Sequence, residues 1–394
     1  MSATATALRV GDLAVTIFVI ESRIPEVDKG CGDPRAALIG QVLASIPGVR
    51  VVWLADDRSG RHEYGPAMEA WGIDIGNRSI AEELSCRRGE ADIVVVARPE
   101  NFELAQSAIA QYQPQAHRVY DMESLFHLRQ ARSAAFSRHP RRSIREAERL
   151  ERVERRAIAW ADSVLCVSER ERQFASDVNP GVATAIAGYA VEASQTRVPR
   201  TARVGVAFFG SFRAGISSPN GVGARVAARD VQPLLGRPIA IAGACIPREI
   251  ADLASDTVAI VGPVPAPAPF LASLLVLLCP MPFGSGLNLR FVEAAGVGTP
   301  FVTSPIGAEA LAFDRELRAL LVGESPAALA SLTRALLDDE SRWQAASDGV
   351  HDLALRRHGF APFTDAVRTL VTTAAACRTS GGPRAPLETT LTDA

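Results

Sequence analysis

The stretch Leu274-Leu-Val-Leu-Leu-Cys-Pro-Met-Pro-Phe-Gly-Ser-Gly-Leu-Asn-Leu-Arg-Phe-Val-Glu-Ala-Ala-Gly-Val-Gly-Thr-Pro-Phe-Val-Thr303 decides the fold. An apolar, β-rich run ends near Cys279. Gly284-Ser-Gly286 makes a loop, and a helix opens at about 287–288. Gly298 and Thr299 end that helix before the next apolar run. Near-continuous apolar runs are what parallel strands covered on both faces require. A helix between two of them is a right-handed crossover unit.

The same alternation extends outward in both directions. Upstream in this half, 204–209, 238–242 and 258–261 read as strands. Residues 192–203 are polar and proline-containing and read as a linker. Before it, strand-like runs at 13–20, 49–55, 92–97, 117–120 and 163–167 alternate with helical segments at 35–46, 101–111 and 145–161. The expected fold is α/β, with two Rossmann-like domains at 1–195 and 200–350 facing each other across a cleft. Open α/β sheets bind ligands beside the carboxyl ends of their strands, so that cleft is the expected site. Residues 340–357 and 360–376 read as helices, and 351–376 is expected to pack back toward the first domain. The Gly/Pro/Thr-rich tail at 379–394 reads as disordered.

Composition fits an ordinary globular enzyme. The chain has 394 residues, 47% of them apolar and 22% charged, enough for two cores. A net charge of −2 gives no support for nucleic-acid binding. The six cysteines and six histidines show no metal-ligand or redox spacing. Buried reduced thiols are expected. The longest apolar run, 270–279, is about half a membrane span. No basic segment with a small-residue cleavage site frames 13–20, so a signal peptide is not expected there. The expected location is the cytoplasm, with contact at the inner face of the membrane left open. That opening comes from residues 129–145, which hold six arginines and no acid. They read either as a solvated helix surface or as a patch facing an anionic acceptor or lipid headgroups.

The chemistry concentrates in the opening stretch. Glycines at 284 and 286 allow a ligand to approach the backbone closely. Exposed N–H groups at a helix start attract anions. Arg290 offers a charge-assisted fork for phosphate. Glu293, one turn on, can accept hydrogen bonds from hydroxyls. Phosphate beside hydroxyls describes a nucleotide or nucleotide sugar, although a plain strand-to-helix turn with a surface ion pair reads the same way. Arg290 and Glu293 are expected to be exposed in the cleft, so replacing either should leave the melting temperature within a few degrees. Asp121 and Glu123 follow a strand and are candidates for binding or activating an acceptor hydroxyl. Asp121 reads equally well as a helix N-cap. Lys29, Gly30, Gly32 and Arg35 form a loop and helix start that could meet the leaving diphosphate or the acceptor.

Gly284, Gly286, Arg290, Glu293 and Ala294 resemble the donor-binding signature of retaining glycosyltransferases of family four, in the branch reading Gly-x-Gly-x-x-x-Lys/Arg-x-x-Glu-Ala. Gly298-Thr-Pro-Phe-Val-Thr-Ser-Pro-Ile-Gly-Ala-Glu-Ala-Leu311 is similar to that family's next segment, and Phe208-Phe-Gly-Ser-Phe212 with Ser218-Pro-Asn220 to the start of its donor domain. In the first half, 24–36, Arg98-Pro-Glu100 and 120–129 resemble the same branch. The resemblance implies a GT-B type fold and transfer of a sugar from a nucleotide-sugar donor to an acceptor hydroxyl, with retention and without a required metal or other cofactor. It places the donor on Gly210, Ser211, Gly284, Ser285, Gly286, Leu287, Arg290 and Glu293. Many members carry a glutamate where this chain has Ser285, and a basic residue where it has Asn288. Rival readings are a non-catalytic nucleotide-sugar-binding subunit and a sugar-nucleotide epimerase of the same fold.

Overall fold

A computed structural model describes residues 14–380 apart from Cys31 and Gln195. The first domain is a seven-stranded sheet in the order β3-β2-β1-β4-β5-β6-β7. Its strands are β1 Val15–Arg23, β2 Val49–Asp57, β3 Ile73–Ile75, β4 Ile93–Ala97, β5 His117–Met122, β6 Ser163–Cys166 and β7 Ala183–Ile186. The second domain orders five strands β10-β9-β8-β11-β12. These are β8 Val204–Phe209, β9 Ile239–Ala242, β10 Val258–Gly262, β11 Leu274–Cys279 and β12 Phe301–Thr303. Every pairing between named strands is parallel. Both domains are therefore doubly wound, as the alternation predicts. Strand order reverses between β1 and β4 and between β8 and β11, and these are the points where such sheets leave a crevice.

Apolar faces explain the layers. Ile17, Val19, Val51 and Trp53 pack on one side of the first sheet, and Phe18, Ile20, Val94 and Tyr120 on the other. Alternate residues of a single strand thus feed two cores, as a pleated strand requires. The second domain has its own core around Val206, Phe208, Val276, Leu278, Phe291 and Phe301. The helix Glu340–Arg357 belongs to it through Trp343, Val350 and Leu353, so the expected boundary at 350–351 falls inside a helix. The last helix, Phe360–Ser380, crosses back. Its Phe363, Val367, Leu370, Val371 and Ala374 complete the first domain's core.

The chain crosses between domains twice, and the two crossings touch. Val191 N donates to His358 O at 2.8 Å, and Ser194 N to Gly296 O at 3.0 Å. Arg203, at the end of the linker, is buried against Trp343 and donates to the carbonyls of Val198 and Val297. The linker is thus fastened to the second domain.

Three expectations change. The last helix runs through Ser380, which takes in the first two residues of the expected tail; 381–394 lie outside the described residues. Cys166 and Cys279 are buried thiols, but Cys86 and Cys245 are exposed, because they sit at a helix end and in a loop instead of in strands. The short strands β3 and β7 add to the five read in the first half. Among the described residues no helix is long and apolar enough to cross a membrane.

Candidate active site

A cavity of about 840 Å³ lies between the two switch points and is lined by both domains. Its second-domain wall is the loop after β11 and the helix Leu289–Gly296. Arg290 reaches it from below. The side chain is 7% exposed and stacks over Phe208 at 5.3 Å. Its Nε donates to Asn288 Oδ1 at 2.9 Å, and its two terminal nitrogens donate to Phe209 O and Asn220 Oδ1. Nη1 also donates to Cys279 Sγ at 3.7 Å, and all of these acceptors are neutral. Among the described residues Arg290 forms no carboxylate ion pair, so its positive charge stays available to the cavity. Burial corrects the expectation of an exposed side chain whose loss would not be felt in stability.

Local backbone makes this possible. A Cβ at Gly210 would lie 2.6 Å from Arg290 Nη1, so only glycine lets the guanidinium reach Phe209 O. Asn220 bridges the site by donating to Ser211 O at 2.6 Å while accepting from Arg290. Ser211 Oγ is buried without a hydrogen-bond partner. Glu293 also lines the cavity, and burial pushes its carboxyl up to about 7, with Arg290 pulling the other way.

The loop between them meets the first domain. Ser285 Oγ donates to Leu125 O at 2.8 Å and lies 2.5 Å from Ser124 Oγ. Gly286, at φ +74°, approaches so closely that a Cβ there would sit 3.0 Å from Glu123 O. Leu287 packs against Gly188. Arg132 donates to Gly284 O at 2.8 Å and forks onto Glu309 at 2.6 and 2.8 Å. Arg132 thus serves a bridge between domains, a role that the bare arginine run did not reveal. Arg129, one turn earlier, is exposed, lines the cavity and joins no ion pair.

The first-domain wall separates the candidate carboxylates. Glu123 lines the cavity and is gripped by Arg98 at 2.7 and 3.1 Å. Glu21 and Asp33 stand 3.9 Å from the same guanidinium. Burial lifts the Glu21 carboxyl to about 8 against the pull of Arg98, which leaves Glu123 as the closest charge partner. Asp121 is different. It is 2% exposed, does not line the cavity and takes both terminal nitrogens of Arg35 at 2.8 Å. Arg35 Nε donates to Ala187 O at 2.8 Å. Asp121 is thus turned away from the cavity and cannot meet an acceptor there, while Arg35 borders the cavity but spends its charge on Asp121. Asp121 caps no helix either; Glu154 accepts from the N–H groups of Phe126 and His127 at the next helix start. The neighbouring loop does face the cavity. Lys29 sits at its rim, 3.3 Å from Glu26 and over the Tyr64 ring, while Gly30 stands opposite Ser211 and Gly32 beside Glu123.

Residues 206–339, nearly all of the second domain, match the family model described as glycosyl transferases group 1. No curated protein matches the chain. Among solved structures it is similar to Anabaena HepE in complex with UDP and glucose, at 13% identity over 91% of this chain and 100% of that one, with a TM-score of 0.66. It is also similar to a sucrose-phosphate synthase from Thermosynechococcus elongatus, at 15% identity, 92% and 100% coverage and a TM-score of 0.68. A glycosyltransferase from Rickettsia africae aligns at 11% identity, 93% and 99% coverage and a TM-score of 0.66. The two-domain fold is of the GT-B type.

Proposed function

We propose that this chain is a retaining glycosyltransferase that moves a sugar from a nucleoside diphosphate to an acceptor hydroxyl without a required metal. The observation that carries the reading is Arg290, a buried cation held by neutral acceptors at the β8/β11 switch point. Such a group gains most when charge grows on a departing diphosphate, because it is already oriented before bond cleavage. The glycine loop and helix start supply N–H groups beside it. Arg129 faces the same cavity from the other domain, adding a second cation in a chain that has Asn288 where many family members have a basic residue. Glu123 and the 29–32 loop form the acceptor wall, and the acceptor attacks on the leaving-group face. Retention rests on the resemblance of 284–294. The relatives solved with UDP and UDP-glucose make uridine diphosphate sugars the first donors to try.

A thermal-shift screen of nucleoside diphosphates and their sugars, followed by donor turnover with and without chelator, tests this. Stabilisation by one nucleoside diphosphate and turnover unchanged by chelator are expected. No nucleotide binding would overturn the reading. Loss in chelator restored by magnesium or manganese would overturn metal independence. Formation of an epimerised donor without any acceptor would favour the epimerase.

Glu293 gives a pH test. Its carboxylate is the form that accepts ribose hydroxyls, and its carboxyl is raised to about 7. Binding a nucleotide sugar therefore favours loss of that proton. Affinity should tighten by about tenfold between pH 6 and 8, as the ionised fraction of a group near 7 rises. A nucleotide sugar is the right probe because its bridging phosphates do not titrate in that window. Glu293→Gln should bind more weakly and with a flat profile. A flat profile for the unaltered protein removes the ribose role.

A further inference from the structure

The arginine run divides in two. Arg129 and Arg132 face the cleft and the second domain. Arg138, Arg141, Arg142 and Arg145 do not. They stand exposed in the turn before the helix Pro140–Trp160 and along its first turns. The ion pairs of that helix begin only at Arg149, with Glu146 and Glu103. Among the described residues none of the four earlier arginines joins one, and the first turn contains no acid. Cations at the positive end of a helix repel its dipole, and only Arg142 gains from a nearby acid, Glu146, beyond ion-pair distance. Two apolar side chains stand among them: Phe136 is 43% exposed and Ile144 41%. The Phe136 ring also stacks on Phe283 of the second domain, 5.2 Å away and next to the cavity-lining Gly284.

We propose that this face, Arg138 to Arg145 with Phe136 and Ile144, docks the protein on a lipid surface rich in acidic headgroups. Positive charge at a surface is drawn to anionic lipid, and exposed apolar side chains between the charges enter the boundary of the acyl layer. A soluble polyanion would satisfy the arginines but would leave Phe136 and Ile144 in water, so the apolar pair favours lipid. Because Phe136 stacks on Phe283, next to the cavity-lining Gly284, a protein resting on this face holds the glycine loop of the cavity close to the membrane. The inference goes beyond the sugar-transfer reading and does not depend on it.

The test is co-sedimentation of the whole chain with vesicles of phosphatidylcholine alone and with phosphatidylglycerol added. Binding should require the acidic lipid and weaken with salt. Each arginine near such a surface contributes about fivefold in affinity, so Arg141→Gln with Arg145→Gln should weaken binding roughly 25-fold. Ile144→Ser should weaken it further. Melting temperature and nucleotide affinity of these variants should match the unaltered protein, since none of the three residues touches the cavity or a core. Equal recovery on neutral and acidic vesicles overturns the proposal. So does full competition by soluble polyphosphate together with no effect of Ile144→Ser, which would make the partner a polyanion.

Discussion

Arg290→Gln lowers kcat/KM for sugar transfer by about 10- to 150-fold, the worth of one charge-assisted hydrogen bond made in the transition state. Glutamine keeps much of the packing over Phe208 and removes the charge. The carbonyl of Phe209 keeps only the weak Cys279 thiol as donor and the side chain of Asn220 loses its guanidinium partner, which costs about 1–3 kcal/mol. At about 2–4 °C per kcal/mol for a domain of this size, the melting temperature should fall roughly 2–12 °C. The two effects separate at a temperature where the variant is fully folded. There kcat should carry most of the loss, because the interaction strengthens as the diphosphate leaves. Arg290→Lys, which restores charge without the fork, should recover turnover in part. Full turnover by well-folded Arg290→Gln would remove this residue from the chemistry.

Asp121→Ala should destabilise the protein by about 3–5 kcal/mol, because it strands the Arg35 charge in the interior. That corresponds to a fall of roughly 6–20 °C in melting temperature. Removing both charges tells structure from catalysis. Asp121→Leu with Arg35→Met should regain most of the stability, as apolar replacements of buried pairs often do. The double variant should then turn over at nearly the normal rate. A stable double variant without activity would return Asp121 to the chemistry.

Much of the fold was legible because buried parallel strands have a strong signature. β11 is a six-residue apolar run, and its limits could be read directly from Leu274–Cys279. β3 has only three residues, Ile-Asp-Ile, and β7 is Ala-Thr-Ala-Ile at a sheet edge, half-exposed, so neither stands out against loops. In the site, the order of Gly284, Gly286, Arg290 and Glu293 fixes one wall, since all four are close in sequence. The opposite wall depends on pairs far apart in the chain. Arg35 finds Asp121 and Arg98 finds Glu123 through the strand order alone. A carboxylate at the end of a strand reads identically whether it faces a cavity or an internal arginine. The hydroxyl of Ser285, bonded across the cleft to Leu125, is the same kind of long-range fact.

The last helix has a consequence for how the protein is made. Phe363, Val367, Leu370 and Val371 are part of the first domain's core, yet they are synthesised after the whole of the second domain's core. At the usual rate of synthesis the first sheet waits on the order of ten seconds after its own strands are complete. Through that interval it exposes an apolar groove beside Val95, Val119 and Leu165, on the strands that the last helix covers. The second domain needs nothing beyond the helix Glu340–Arg357 and closes its core while the first is still open. The residues of the second domain's core are therefore all in the nascent chain before those of the first are complete.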